Sequence, residues 1–224
     1  MITIQDAIEQ RHSVRRYTLQ PIEAEKVIAL KELVEQCNRE SGMHIQLVID
    51  EPKAFSSPLV HYGTFSGVMN YLAMIGPADD PLLDEKLGYY GEKIVLEAQR
   101  LGLNTCWVAL TFRKNRKAYT VNAGEKLRCV VAIGYGQTQG AGHKIKTVEQ
   151  VSKCDGPMPD WFRRGVEAAL LAPTAINRQK FIFTLHEGNK VEAQARWGFY
   201  EIIDLGIVKY HFDIGAGREN FRWI

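Results

Sequence analysis

The sequence predicts a fold that mixes helices and strands, and three observations predict it. Apolar residues recur at spacings of three and four over 23–39 (Val27, Leu30, Val34, Cys37) and 84–101 (Ile94, Ala98, Leu101), as amphipathic helices require. They alternate in Ile45, Leu47, Ile49 and again in Phe181, Phe183, Leu185, and they run unbroken over 129–135, as half-buried and fully buried strands do. Turn signals such as Gly76-Pro77 and Asp80-Pro81 separate these segments. Helices interleaved with strands place the chain in the mixed α and β class.

In chain order, Thr3 can cap a first helix with Asp6 three residues on, and Ile4, Ala7 and Ile8 form its apolar stripe. Ser41-Gly42 stops the helix over 23–39, and a strand is expected over 44–50. Residues 62–66 read as loop and 70–75 as a short strand. Gly102 closes the helix over 84–101. After an apolar segment ending at Phe112 comes a basic run, 113–117. The polar stretch 137–159 is the expected junction between a first half, 1–155, and a shorter second half, 156–224. Asp160 can cap a helix carrying Phe162, Val166, Ala169 and Leu170, which must end before Pro173. Glu187-Gly188-Asn189 reads as a hairpin turn, and Ile203, Ile207, His211 and Ile214 as a last helix.

Composition narrows the function. The 224 residues carry 28 Lys and Arg against 26 Asp and Glu, and a net charge of +2 gives no field that would favour nucleic acid or an acidic membrane. With 46% hydrophobic and 24% charged residues the chain is expected to be globular. Its four cysteines (Cys37, Cys106, Cys129, Cys154) form no Cys-x-x-Cys pair, which argues against a zinc site or a disulfide framework and for reduced thiols. The first residues are polar and periodic rather than a long apolar run, so no secretory signal and no membrane span are expected, and a cytoplasmic protein is the default.

Three segments could carry chemistry. Arg11, His12, Ser13, Arg15 and Arg16 lie within a few residues at a helix end, and guanidinium forks suit phosphate and imide oxygens. A solvated basic face is the plain alternative. Leu171-Ala-Pro-Thr-Ala-Ile-Asn-Arg-Gln179 lies between a helix and a strand; Asn177 and Gln179 offer the mixed donors and acceptors that the edge of a heterocycle needs, although an ordinary turn would look similar. The segment from Gly102 through Thr105 to Phe112 could wall a ligand or be a buried strand. The glycines at 134, 136 and 140 are not a dinucleotide fingerprint, because the third comes one position late and no amphipathic helix follows. His44, His61, His186 and His211 read as structural or surface groups.

Together these segments resemble the FMN-dependent nitroreductase superfamily. Arg11-His-Ser-Val-Arg-Arg-Tyr17 resembles that family's opening Arg-x-Ser-x-Arg-x-aromatic motif, Gly102-Leu-Asn-Thr-Cys-Trp107 its Gly-Leu-Gly-Thr-Cys-Trp loop, and Ala172 to Gln179 its Ala-Pro-Ser-x-x-Asn-x-Gln motif. Ile133-Gly-Tyr135 with His143 and Lys144 is similar to its Gly-Tyr segment with basic residues downstream. Two departures stand out. The Ala-Pro-Thr motif follows a late helix rather than the second one, where this chain has Asn38 to His44, and Lys180-Phe181 replaces the family's Pro-Trp. That arrangement resembles an atypical branch that holds two partial copies of the fold.

The resemblance implies an α+β fold, a three-layer α/β/α arrangement with a mainly antiparallel sheet, as an internal pseudo-dimer or a homodimer. It implies FMN as cofactor. Arg11 and Arg15 would contact the phosphate, ribityl chain or pyrimidine edge with help from His12 and Ser13, and Lys144 and Lys146 would be further phosphate contacts. Asn177 and Gln179, with the backbone of Pro173, Thr174 and Ala175, would hold the polar edge of the ring, and Thr105, Cys106, Trp107 and Val108 would line one side of it. No catalytic acid or base and no metal is implied, because the flavin carries the hydride chemistry. The implied activity passes reducing equivalents from NAD(P)H to an electron-poor small molecule such as a nitroaromatic, quinone or enone, by ping-pong turnover. The alternatives are a flavin-destructase-like or dehalogenase flavoprotein, or a non-enzymatic FMN-binding protein.

Overall fold

The structure is a computed structural model that describes residues 1–55, 65–198 and 200–224. Its elements run α1 (Ile4–Gln10), α2 (Ala24–Ser41), β1 (Gln46–Val48), β2 (Asn70–Pro77), α3 (Leu83–Arg100), β3 (Asn104–Val108), β4 (Glu125–Gly134), α4 (Val148–Val151), β5 (Ser152–Cys154), α5 (Asp160–Leu170), β6 (Phe181–His186), β7 (Lys190–Ala195), α6 (Glu201–Ala216) and β8 (Arg222–Trp223).

The local expectations are mostly met for the reasons given. Thr3 and Asp6 form a reciprocal capping box on α1. Gly42 ends α2 in the left-handed conformation that a residue with a Cβ adopts at a steric cost. The hairpin between β6 and β7 turns through Gly188 and Asn189, both at positive φ. Three expectations need correction. The strand expected over 44–50 shrinks to β1: Asp50 takes a positive φ, and ahead of β1 the His44 N–H still donates to the Ile75 carbonyl (2.9 Å). Asp160 is the first residue of α5, not its cap, which is Pro159. The stretch 137–159 is no plain connector: it contains α4 and β5, and β5 pairs in parallel with β6. Of the loop expected at 62–66, residues 62–64 lie outside the described residues, as does His61.

Among the described residues two four-stranded sheets result. The first, ordered β1-β2-β4-β3, is antiparallel throughout, and the second, β5-β6-β7-β8, pairs antiparallel only between β6 and β7. The long central strands of the first sheet are buried on both faces. Leu72, Met74, Cys129 and Val131 face the main core with α2 and α3, while Tyr71, Ala73, Val130 and Ala132 face a second cluster with Val14, Tyr17, Phe55 and Tyr119. The main core is continuous through α5, α6, β6 and β7, so one apolar interior serves both sheets.

The centre of that interior is the crossing of α3 and α6. A Cβ on Gly88 would lie 2.0 Å from the Ile203 carbonyl oxygen and 3.0 Å from the Ile207 nitrogen. A Cβ on Gly206 would lie 1.9 Å from the Glu85 carbonyl oxygen and 2.7 Å from the Tyr89 nitrogen. The contacts are reciprocal: exchanging Glu85, Gly88 and Tyr89 for Ile203, Gly206 and Ile207 maps one set onto the other. Element order repeats in the same sense, with α2-β1-β2-α3-β3 answered by α5-β6-β7-α6-β8.

Because the atoms met at this crossing are backbone, no rotamer change relieves an added methyl. Gly88→Ala and Gly206→Ala should each lose about 2–3 kcal/mol in urea unfolding. Gly156→Ala, where nothing lies within 4 Å and φ is not positive, should stay within about 0.5 kcal/mol.

Candidate functional site

The N-terminal basic motif begins where α1 ends. Arg11 is the C-cap of α1, and beyond it the chain runs extended along the first sheet. Ser13 bridges Thr105 on β3, the Val14 N–H donates to the Thr105 carbonyl (3.0 Å), and Tyr17 bridges Gly136 just past β4. This fixes which side chains turn inward. Arg11 is buried, at 3% exposure, and Arg15 and Arg16 face solvent.

The late motif folds as a tight loop between α5 and β6. Ile176, Asn177 and Gln179 all have positive φ, which is strained for residues with a Cβ and most of all for β-branched Ile176. Side-chain bonds hold the strain in place. Buried Gln179 donates Nε2 to the Lys144 carbonyl (2.8 Å) and to Asn177 Oδ1 (2.8 Å), and its Oε1 accepts from the Lys146 N–H (2.8 Å). Asn177 Nδ2 also donates to the Lys144 carbonyl (2.9 Å), and Lys146 Nζ to the Gln179 carbonyl (2.7 Å). The amides of Asn177 and Gln179 therefore brace the basic segment 144–146 against the loop.

The two motifs meet. Arg11 Nη2 donates to the Leu171 carbonyl (3.4 Å) at the end of α5, and His143 Nε2 donates to the Leu170 carbonyl (3.1 Å). Ile8, Arg11, His12, Gly142, His143 and Leu171 line a cavity of about 100 Å³ there, with Glu9 and Ile145 at its rim. Among the described residues, three buried side-chain polar atoms lack a hydrogen-bond partner, and two of them, Arg11 Nε and His12 Nδ1, belong to this place. Buried polar atoms are rarely left unpaired without a reason; an anion would satisfy Arg11 Nε, and His12 Nδ1 as well when that nitrogen carries a proton.

Electrostatics agree with an anion site. Burial pulls the Arg11 guanidinium below its usual value while Glu92 and Cys106 pull it back, and an arginine so placed stays charged at neutral pH. Burial and then the charges of Arg11 and His143 hold His12 below 6.5, with the Arg11 backbone pulling weakly the other way. Burial raises the Cys106 thiol against Arg15, Ser13 and Arg11. On the far side of the loop the Ala175 N–H donates to Asp204 Oδ2 (2.9 Å), and burial, helped by Glu201, pushes that carboxyl up to about 7 against the Ala175 bond.

The structure thus brings Arg11, His12 and Ser13 beside Thr105, and Lys144 beside Asn177 and Gln179, with Pro173, Thr174 and Ala175 leading into the strained loop. Cys106 and Val108 are buried within β3, and the Trp107 indole donates to Glu92 Oε2 (2.8 Å). Glu92 and His211 were not singled out from the sequence as site residues, yet both reach Arg11's surroundings. A signal existed for Glu92: it falls four residues after Gly88, an acidic residue on the inward stripe of α3. Among the described residues no group of His, Cys, Asp and Glu could hold a metal ion, and no helix is long and apolar enough to cross a membrane.

Comparison with known proteins places this geometry. The model of the family described as Putative TM nitroreductase matches residues 3–216. A putative nitroreductase from Thermotoga maritima has a TM-score of 0.66 at 20% identity, covering 97% of this chain and 85% of that one. A putative nitroreductase in complex with FMN from Desulfovibrio desulfuricans has a TM-score of 0.52 at 18% identity, over 71% of this chain and 99% of that one. A putative NADH dehydrogenase/NAD(P)H nitroreductase from Bacteroides thetaiotaomicron has a TM-score of 0.53 at 18% identity, over 67% and 96%. At such identities the likeness is one of fold. No curated protein matches the chain.

Two titrations follow from the site. Asp204 keeps its proton in the folded chain up to about pH 7 but loses it near 3.8 when unfolded, so its contribution is fully present at low pH and is lost as pH rises from 3.8 to 7. Asp204→Asn, whose amide oxygen can still accept from Ala175, should raise stability at pH 8 by about 2 kcal/mol and change it little at pH 4, read by urea unfolding. His12 should titrate below 6.5 by NMR in the free protein and move upward when sulfate is added, so sulfate, whose own charge is constant over this range, should bind more tightly as pH falls.

Proposed function

The chain belongs to the Putative TM nitroreductase family, and we propose that it is an FMN-dependent oxidoreductase that carries reducing equivalents from NAD(P)H to an electron-poor small molecule such as a nitroaromatic, quinone or enone. The observation that carries the reading is the meeting of the two motifs: Arg11 and His12 from the first residues and Leu171, where the late motif begins, line one cavity, and Arg11 Nε and His12 Nδ1 are buried and unpaired. The residues fit the cofactor. A cavity of about 100 Å³ suits a phosphate rather than a tricyclic ring, so the phosphorylated end is the part assigned to Arg11 and His12. Arg15, Lys144 and Lys146 are assigned as further positive charge for that end, and Ser13 as a hydroxyl. The backbone of Pro173, Thr174 and Ala175 and the wall of Thr105, Cys106, Trp107 and Val108 are assigned to the ring.

When bound, FMN supplies the hydride chemistry. This chain's residues bind and orient. Arg11, held dry between α1, α3 and α5, favours negative charge at the site far more than an exposed arginine would. Gln179 fixes the backbone of the 144–146 segment, which lowers the ordering cost of association. Ile8 and Leu171 supply apolar lining to the cavity. Donor and acceptor would occupy one position in turn, hence ping-pong turnover.

We further propose that 1–155 and 156–224 are two partial repeats forming an internal pseudo-dimer, with the site between them in one chain. The reciprocal glycine crossing and the repeated element order support this. The four free cysteines support a reducing, cytoplasmic setting.

A visible absorption spectrum of purified protein reconstituted with FMN, before and after anaerobic NADH or NADPH, tests the activity. Flavin should co-elute with the protein and bleach with at least one nicotinamide. Arg11→Ala should weaken FMN at least about tenfold. Protein that refuses FMN would sink the proposal, and bound flavin that neither nicotinamide reduces would leave only a flavin-binding role.

A further inference from the structure

Charge at the α3–α6 crossing is arranged on one side. Glu92 on α3 and His211 on α6 are both fully buried. Glu92 Oε2 accepts from the Trp107 indole, while its Oε1 lies 2.9 Å from His211 Nε2 and 3.8 Å from Arg11 Nε. The other ring nitrogen, His211 Nδ1, lies 3.1 Å from the Ala168 carbonyl oxygen. A carbonyl can only accept, so Nδ1 carries a proton. A bare Nε2 facing an ionised carboxylate would then set two lone pairs 2.9 Å apart. One further proton must therefore sit between them, as imidazolium against carboxylate or as neutral imidazole against carboxylic acid. In either arrangement Glu92 and His211 together are neutral, and the whole charge of Arg11 is left over.

The geometry of Arg11 agrees. Its Nε stops 3.8 Å from Glu92, beyond hydrogen-bond reach, although no other group bonds it, and its Nη2 makes one long bond to Leu171. A carboxylate with no second partner would be expected to draw the guanidinium into a closed, two-pronged pair.

We infer that His211 is a positioning residue for the Arg11 anchor: by sharing a proton with Glu92 it keeps that carboxylate from closing on the guanidinium, and so leaves a dry, uncancelled cation facing the cavity for an anionic group of the ligand. That the ligand is FMN rests on the proposed function; the charge arrangement does not. The two ends of the chain are thereby tied together, since the histidine comes from α6 and the arginine from the end of α1.

The first test needs no ligand. NMR of flavin-free protein labelled with 15N-histidine should find His211 Nδ1 protonated at pH 7, and a proton on Nε2 alone overturns the inference. The second is a coupled titration of FMN into flavin-stripped protein. His211→Gln keeps a donor toward Glu92 but brings no charge, and it should weaken FMN at least about tenfold. Added to Glu92→Gln, where no carboxylate remains to close on Arg11, the same change should cost less than about twofold. Equal losses in both backgrounds, as a structural role predicts, or no loss in the first, overturn it. If wild type and Arg11→Ala bind FMN equally poorly, the flavin reading fails instead, and the NMR result still decides the charge arrangement. Should His211→Gln fail to fold, the same measurement decides alone.

Discussion

The contact of α3 with α6, backbone on backbone at Gly88 and Gly206, is the constraint from which the site follows. Helices that approach this closely leave no room for water between them, so any polar group on the facing stripes must find its partner across the crossing. Glu92 sits one turn beyond Gly88, and His211 just over one turn beyond Gly206. They meet each other, and Trp107 takes the remaining carboxylate oxygen. Arg11 arrives from the end of α1 onto this already satisfied pair. Its own hydrogen-bonding capacity is therefore not exhausted by the fold, which is the condition for binding something else.

The loop over 174–179 shows the complementary arrangement. Left-handed φ at three residues that carry a Cβ opposes folding by about 1–2 kcal/mol each. Gln179 offsets this with side-chain bonds to Lys144, Lys146 and Asn177, and Thr174 Oγ1 accepts from the Gln179 N–H (3.1 Å). Asp204 holds the loop to the first turn of α6. Rigidity is thus placed where a basic segment and a turn must keep a fixed relation, while the basic side chain of Lys144 itself remains in solvent.

Sequence periodicity revealed the helices because each buries a stripe: Leu30, Val34 and Cys37 on α2, and Phe162, Val166 and Ala169 on α5, lie inside as their spacing required. It failed where tertiary pairing decided. Nothing local in Ser152 to Cys154 announces a strand; β5 exists because β6 offers it a free edge. The site was legible as motifs, since clustered arginines and an Asn-x-Gln turn are local. The roles within it were not. Asn177 and Gln179 read as ligand contacts because their amides are versatile, and only the fold shows those amides turned onto the 144–146 backbone. His211 read as a structural group, and its buried place agrees; that its partner is a glutamate 119 positions away is visible only in the fold.

The reciprocal crossing makes the difference between its two sides informative. The exchange that carries Gly88 to Gly206 carries Glu92 to Tyr210 and Lys93 to His211. The partners so related share neither charge nor shape, and the buried proton-sharing pair has no counterpart across the crossing. The loops after the corresponding helices differ in the same way. After α5 comes the strained, braced turn; after α2, Asn38 closes a relaxed turn by donating to the Ile45 carbonyl and accepting from its N–H, both at 2.8 Å. On the proposed reading of two partial repeats, the backbone crossing is symmetric, and side-chain chemistry equips one side of it. Among the described residues the unpaired atoms Arg11 Nε and His12 Nδ1 both lie on the equipped side.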